Sequence, residues 1–137
     1  HEPQQIDPEI LKALHSPKYV EAFLTGQPAK LATFAGFKPW NEQLRDAVLS
    51  INAGQLLATE LAFQHGIAAN IAQGFHHANY EYGGSYCTFN GLALIAQHYA
   101  NKRIFILDCD QHGGDGTADF TRRLDNLYNF SIYILKY

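Results

Sequence analysis

The chain has 137 residues, a length that suits one domain with a real core. At 47% hydrophobic and 17% charged, with nine Phe and eight Tyr, its composition excludes a disordered polymer. A formal charge of −3 and the lack of any Lys/Arg cluster exclude a protein that holds nucleic acid mainly through phosphates.

In chain order, "IDPEILKALHS" places Asp7 as an N-cap and Pro8 at the first helical position. "SPKYVEAFLTG" repeats the device with Ser16 and Pro17 and closes on Gly26. Residues 27–40, with Pro and Gly spread through them, read as loop. Asn41 then caps a helix over 42–65, in which Leu44, Val48, Ile51, Leu57 and Leu61 mark one apolar face and Gly66 is the stop. "IAANIAQGF" (67–75) is predicted as a buried strand, 76–90 as a polar, glycine-broken loop, and 91–101 as a helix. "RIFILDCD" (103–110) is the clearest buried strand, a continuous apolar run of the parallel-sheet kind. "TADFTRRLDNLY" (117–128) reads as helix and "FSIYILKY" (130–137) as a third strand. This alternation predicts an α/β fold, a parallel sheet flanked by helices.

The two cysteines, Cys87 and Cys109, lie in different segments and make no disulfide framework, which suits a reducing compartment. No basic-then-apolar leader opens the sequence, and no run approaches the roughly 18 apolar residues of a membrane span. A cytoplasmic protein without membrane contact is expected. The sequence opens on His1, holds no methionine and closes on an apolar run, so it reads as a piece of something longer.

In an open parallel sheet, ligands bind outside the carboxyl ends of the strands. The first expected strand ends at Phe75 and releases His76-His77. The second ends at Leu107 and releases Asp108, Asp110 and His112. In extended chain these last three share one side. Carboxylate with imidazole suits a borderline divalent ion such as zinc. Gly113, Gly114 and Gly116 would permit unusual backbone angles and close approach. No Gly-Lys-Ser/Thr follows, which excludes a phosphate-binding P-loop. Acids at a strand end also serve simply as solvated loop starts or helix caps. The other histidines read as structural. His15 and His65 stand near helix C-termini, where positive charge is favoured, His98 lies within a helix and His1 at the terminus.

"GFHHANYEYGGSYCTFNGLALIA" followed by "RIFILDCDQHGGDGTADF" resembles the zinc-dependent histone deacetylase family, of the arginase/deacetylase fold, in its bacterial or class IV-like members. "LHSPKYVEAFLTG" and the 42–65 helix resemble the N-terminal part of that domain. The resemblance implies that Asp110 and His112 are two of three zinc ligands. It implies that His76 and His77 are the tandem acid–base histidines, with Asp108 behind His76 and Asp115 behind His77. Asp108, the carbonyls of Asp110 and His112, and Ser131 fall where the family holds a structural potassium ion. Tyr86 stands at an aromatic wall of the acyl-lysine channel, with Gly84 beside it, and Cys87 follows as in the family. The implied reaction removes acetyl or short acyl groups from lysine or related amines.

Departures are Gly113, where many members have His or Gln, and Gly91, where Asp commonly follows Asn90. The third zinc ligand, a downstream Asp, and the oxyanion-stabilising Tyr lie beyond what this sequence holds. Residues 1–137 are therefore expected to be the N-terminal portion of one deacetylase-like domain. In the family's sheet, strands from the remaining half are expected to lie between those found here. Alone, this portion is expected to be inactive, to bind zinc weakly, and to self-associate through apolar faces and unpaired edges. Two alternatives stand beside this reading. One is a dimanganese hydrolase of the arginase or agmatinase type, which needs a bridging carboxylate where Gly114 stands. The other is a non-catalytic remnant or binding module that keeps the fold.

Overall fold

Helix capping is the most local rule in the sequence, and it sets the N-terminal layer. In the computed structural model, which describes residues 1–133, Asp7 accepts a hydrogen bond from the Glu9 N–H and opens α1 (Pro8–Leu14). Ser16 caps α2 (Pro17–Thr25) only through its backbone, its carbonyl accepting from Tyr19 and Val20. Gly26, at φ 75°, ends α2 in the left-handed region. One helical turn, α3 (Ala29–Ala32), interrupts the expected loop. Asn41 accepts from the Leu44 N–H and opens α4 (Glu42–His65), which Gly66 closes.

The remaining elements are α5 (Gly91–His98), β1 (Ile104–Asp108), α6 (Asp115–Phe120) and β2 (Leu127–Ser131). β1 and β2 are direct parallel neighbours, in register from Ile104 opposite Leu127 to Asp108 opposite Ser131. Among the described residues they form the whole sheet, and the strands expected from the remaining half are not part of this chain. Tyr19, Phe23, Phe89, Phe120, Leu11 and Leu94 are fully buried and form the centre of the core. Ile104 and Ile106 turn from β1 onto that core.

The sheet is covered on one face only. Phe105 and Leu107 of β1, and Tyr128 and Phe130 of β2, are exposed on the other. β1 therefore alternates where continuous burial was expected, because full burial needs a layer on each face.

The expected strand over 67–75 is not formed. A strand exists only by pairing, and this run has no ladder partner among the described residues. Ile67 and Ile71 project into solvent, Phe75 turns inward at φ 59°, and the Gly74 carbonyl accepts instead from the Gly91 N–H. Likewise the helix expected over 117–128 stops at Phe120 and gives way to turns. The Asn126 side chain donates to the carbonyls of Ala96, Tyr99 and Lys102, which ties the exit of α5 to the start of β2. β2 begins at Leu127, earlier than expected, and residues 134–137 of the expected third strand lie outside the described residues. No helix among the described residues is long and apolar enough to cross a membrane.

Candidate active site

Two loops meet at the carboxyl end of β1. One carries His76-His77, the other Asp108 through Asp115. The His76 Nδ1–H donates to Asp108 Oδ2 at 2.6 Å. The His77 Nδ1–H donates to Asp115 Oδ1 at 2.5 Å. The two rings lie 4.1 Å apart, tilted by 52°. In a neutral ring whose Nδ1–H is the donor, Nε2 keeps the lone pair. The two supports differ in exposure: the Asp108 side chain is 8% exposed and that of Asp115 72%.

Asp110 and His112 stand next to this pair. The His112 Nδ1 lies 3.1 Å from Asp110 Oδ1, and the His76 Nε2 lies 3.9 Å from the same oxygen. The His112 backbone N–H also donates to Asp110, which holds that carboxyl below the ordinary carboxylate range. The two donors are close enough for one ion to touch both. In kind they fit zinc; in number they are two, and no group of three such side chains forms among the described residues.

The glycines act through close approach. A Cβ on Gly114 would fall 2.4 Å from Asp108 Oδ2, and one on Gly116 would fall 2.4 Å from the Ala78 carbonyl. Neither these two nor Gly113 has positive φ, so the expected unusual backbone angles are not what the site uses. Without side chains of their own, Gly114 and Gly116 lie directly against the histidine loop.

An open cleft of about 810 Å³ runs over these residues. Tyr86 forms one wall, with its ring against Phe37 at 5.4 Å and its N–H bonded to Ala35. Ser85 and Tyr86 both have positive φ, at 48° and 62°. That conformation costs non-glycine residues on the order of 1–3 kcal/mol each, and backbone hydrogen bonds hold it here, Tyr86 to Ala35 and Gly84 with Cys87. Gly84 is not among the residues that line the cleft; it bridges Cys87 and closes the turn that presents them. Burial pushes the Cys87 thiol up, and both cysteines are free. Ser131 lies opposite Asp108 in the sheet, and its Oγ accepts from the Gly114 N–H at 3.3 Å. Of the residues expected around potassium, Asp108 and Ser131 thus come from adjacent strand ends, and Asp110 and His112 from the loop after β1.

A family model described as the histone deacetylase domain matches residues 1–137. The chain belongs to the histone deacetylase family. Its deacetylase-type sequence is 35% identical to an uncharacterized protein of Picosynechococcus sp. over 137 residues, covering 97% of this chain and 46% of that one. It is 37% identical to Histone deacetylase 2 of Arabidopsis thaliana over 94 residues, 61% of this chain and 24% of the relative. It is 46% identical to Acetylpolyamine amidohydrolase 2 of Pseudomonas aeruginosa over 57 residues, 39% of this chain and 17% of that protein. The fold matches the crystal structure of a histone deacetylase homologue from Aquifex aeolicus with a TM-score of 0.81 at 22% identity, over 96% of this chain and 38% of the other. The chain thus spans less than half the length of these relatives.

Within this deacetylase-family chain, His15 is structural as expected, and its burial differs from the exposed helix-end setting that favours charge. His15 is fully buried and neutral, pushed down to about 4 by burial, where a positive charge at a helix end was expected. Thr117 was not singled out, and Asn90 was noted only as the residue preceding Gly91; both are fully buried polar residues behind the histidine loop. No local pattern marks them, since their partners are remote in sequence.

Proposed function

We propose that this chain carries the acid–base half of a zinc-dependent amide hydrolase that removes acetyl or short acyl groups from lysine or related amines. The observation that carries the reading is the pair of parallel His–Asp contacts, His76 with Asp108 and His77 with Asp115, opening on one cleft beside Asp110 and His112.

Asp110 and His112 would hold zinc together with a ligand from outside the described residues. When bound, zinc supplies Lewis-acid polarisation of the acyl carbonyl and lowers the pKa of water. The chain's own residues do the proton work. Asp108 and Asp115 accept from the Nδ1–H groups and fix both tautomers, so that each Nε2 serves the cleft. One Nε2 takes a proton from attacking water, and the leaving amine is protonated in turn. Asp108, shielded from solvent, holds its ring more firmly than exposed Asp115 does. Tyr86 offers the alkyl stem of the substrate an apolar wall. Oxygen donors at Asp108 and Ser131 suit a hard structural cation, and potassium is proposed there with no catalytic step.

Support for the substrate class comes from relatives whose names record histone deacetylase and acetylpolyamine amidohydrolase activity. A dimanganese hydrolase would need a carboxylate at 114, where even a Cβ would strike Asp108. The test is a substrate panel on the complete polypeptide that contains this chain, loaded with zinc or manganese. Acetate release from an acetyl-lysine peptide or an N-acetylated polyamine, with zinc, is expected. Urea release from a guanidino substrate with manganese would overturn the proposal.

A further inference from the structure

The four backbone carbonyls from His76 to Asn79 are each held. The His76 carbonyl accepts from the Thr117 N–H at 2.9 Å, and the His77 carbonyl from the Asn79 side chain at 3.1 Å. The Ala78 carbonyl accepts from Asn90 Nδ2 at 3.2 Å, and the Asn79 carbonyl from His15 Nδ1–H at 2.8 Å. Behind them the holders are joined. The Asn90 N–H donates to His15 Nε2 at 3.0 Å, and Asn90 Nδ2 donates to Thr117 Oγ1 at 3.1 Å. Because Nε2 is an acceptor, the His15 proton sits on Nδ1.

His15, Asn90 and Thr117 are all fully buried. His15 is enclosed by the rings of Tyr19, Phe89 and Phe120. An apolar ring would pack there without desolvating a polar group. What histidine adds is a donor on one edge and an acceptor on the other, joining the end of α1 to the histidine loop and to the start of α5. A buried network with every such group satisfied specifies one backbone geometry.

We propose that His15, Asn90 and Thr117 are positioning residues, a buried polar clamp that fixes the backbone of 76–79 and so aims the tandem histidines into the cleft. The clamp rests on the reading of His76 and His77 as the acid–base pair, but its test needs no turnover. An inactive chain leaves it standing, and an active one does not establish it.

The test is NMR on the isotope-labelled 137-residue chain. The ring Nδ1–H protons of His76 and His77, bound to carboxylates, report where the rings point. His15→Phe keeps the aromatic packing and removes both edges. It is expected to shift the carbonyl carbons of 76–79 and to speed exchange of both ring protons about tenfold. His15→Asn, whose amide can again donate to the Asn79 carbonyl, should restore much of this. Val48→Ala, a core truncation in α4, should lower stability and leave these signals in place. Native ring-proton exchange and native carbonyl shifts in a merely destabilised His15→Phe would overturn the clamp. If His15→Phe does not fold, Thr117→Val replaces it, because it removes only the hydroxyl and keeps the N–H. A shifted Ala78 carbonyl and faster His76 ring exchange support the clamp; unchanged signals overturn it.

Discussion

Asp108, the last residue of β1, holds His76 from 32 positions away in sequence, Oδ2 to Nδ1 at 2.6 Å. The contact is nearly sealed from water on both sides. It sets which ring nitrogen carries the proton, so its removal should act on proton transfer more than on folding. Asp108→Asn is expected to lower kcat/KM of the complete enzyme on an acetylated amine by about 10- to 100-fold. Its urea midpoint should change little. Kinetics and denaturation of the same preparation check both.

The turn at 113–116 should tolerate no side chain where it meets backbone. Gly116→Ala puts a Cβ against the Ala78 carbonyl, which is itself held, so something must shift. A loss of about 1–3 kcal/mol is expected. Gly113→Ala meets only the movable Tyr133 ring, at 3.2 Å, and should cost less. Urea denaturation of both variants gives the ordering, and equal losses would contradict it.

Stability should fall on acidification through His15. Its folded pKa is depressed from 6.5 to about 4 by burial. Above pH 6.5 the ring is neutral in both states and contributes no slope. Between pH 6.5 and 4 the unfolded chain takes the proton and the folded chain does not, so stability is lost as pH falls. The loss reaches about 3 kcal/mol by pH 4 and then levels off. Urea midpoints from pH 7 to 4 measure it, and the slope should flatten in His15→Phe.

These three cases divide what the sequence shows from what it hides. Caps at Asp7 and Asn41 were legible because capping is a contact across two or three residues. The pairing of His76 with Asp108 and of His77 with Asp115 joins two short motifs, each of which is readable locally. The strand expected over 67–75 failed because apolar runs carry no record of whether a pairing partner exists. The alternation in β1 was hidden for the same reason: burial depends on a second layer, not on β1 itself. The burial of His15 was hidden because its partners, Asn79 and Asn90, lie 64 and 75 positions away.

The bare sheet face should make this chain associate. Phe105, Leu107, Tyr128 and Phe130 are each at least half exposed on one side of β1 and β2. Sedimentation is expected to show concentration-dependent oligomers. Leu107→Lys combined with Phe130→Lys should shift them toward monomer. A clean monomer of the unaltered chain at high concentration would contradict the expectation.

Zinc should bind this chain weakly and through Asp110 and His112 alone. Calorimetry is expected to show binding that is lost in His112→Ala and unaffected in His98→Ala. Turnover of an acetyl-lysine peptide by this chain with added zinc would contradict the proposal that Asp110 and His112 need a further ligand from outside the described residues.

If His76 and His77 perform the proton transfers of amide hydrolysis, removing both must abolish them. Acetate release from an acetyl-lysine peptide by the zinc-loaded complete polypeptide, native against His76→Ala/His77→Ala, measures this. A loss of roughly 100-fold or more in kcat is expected with folding retained. Native-level acetate release by the double variant would contradict it.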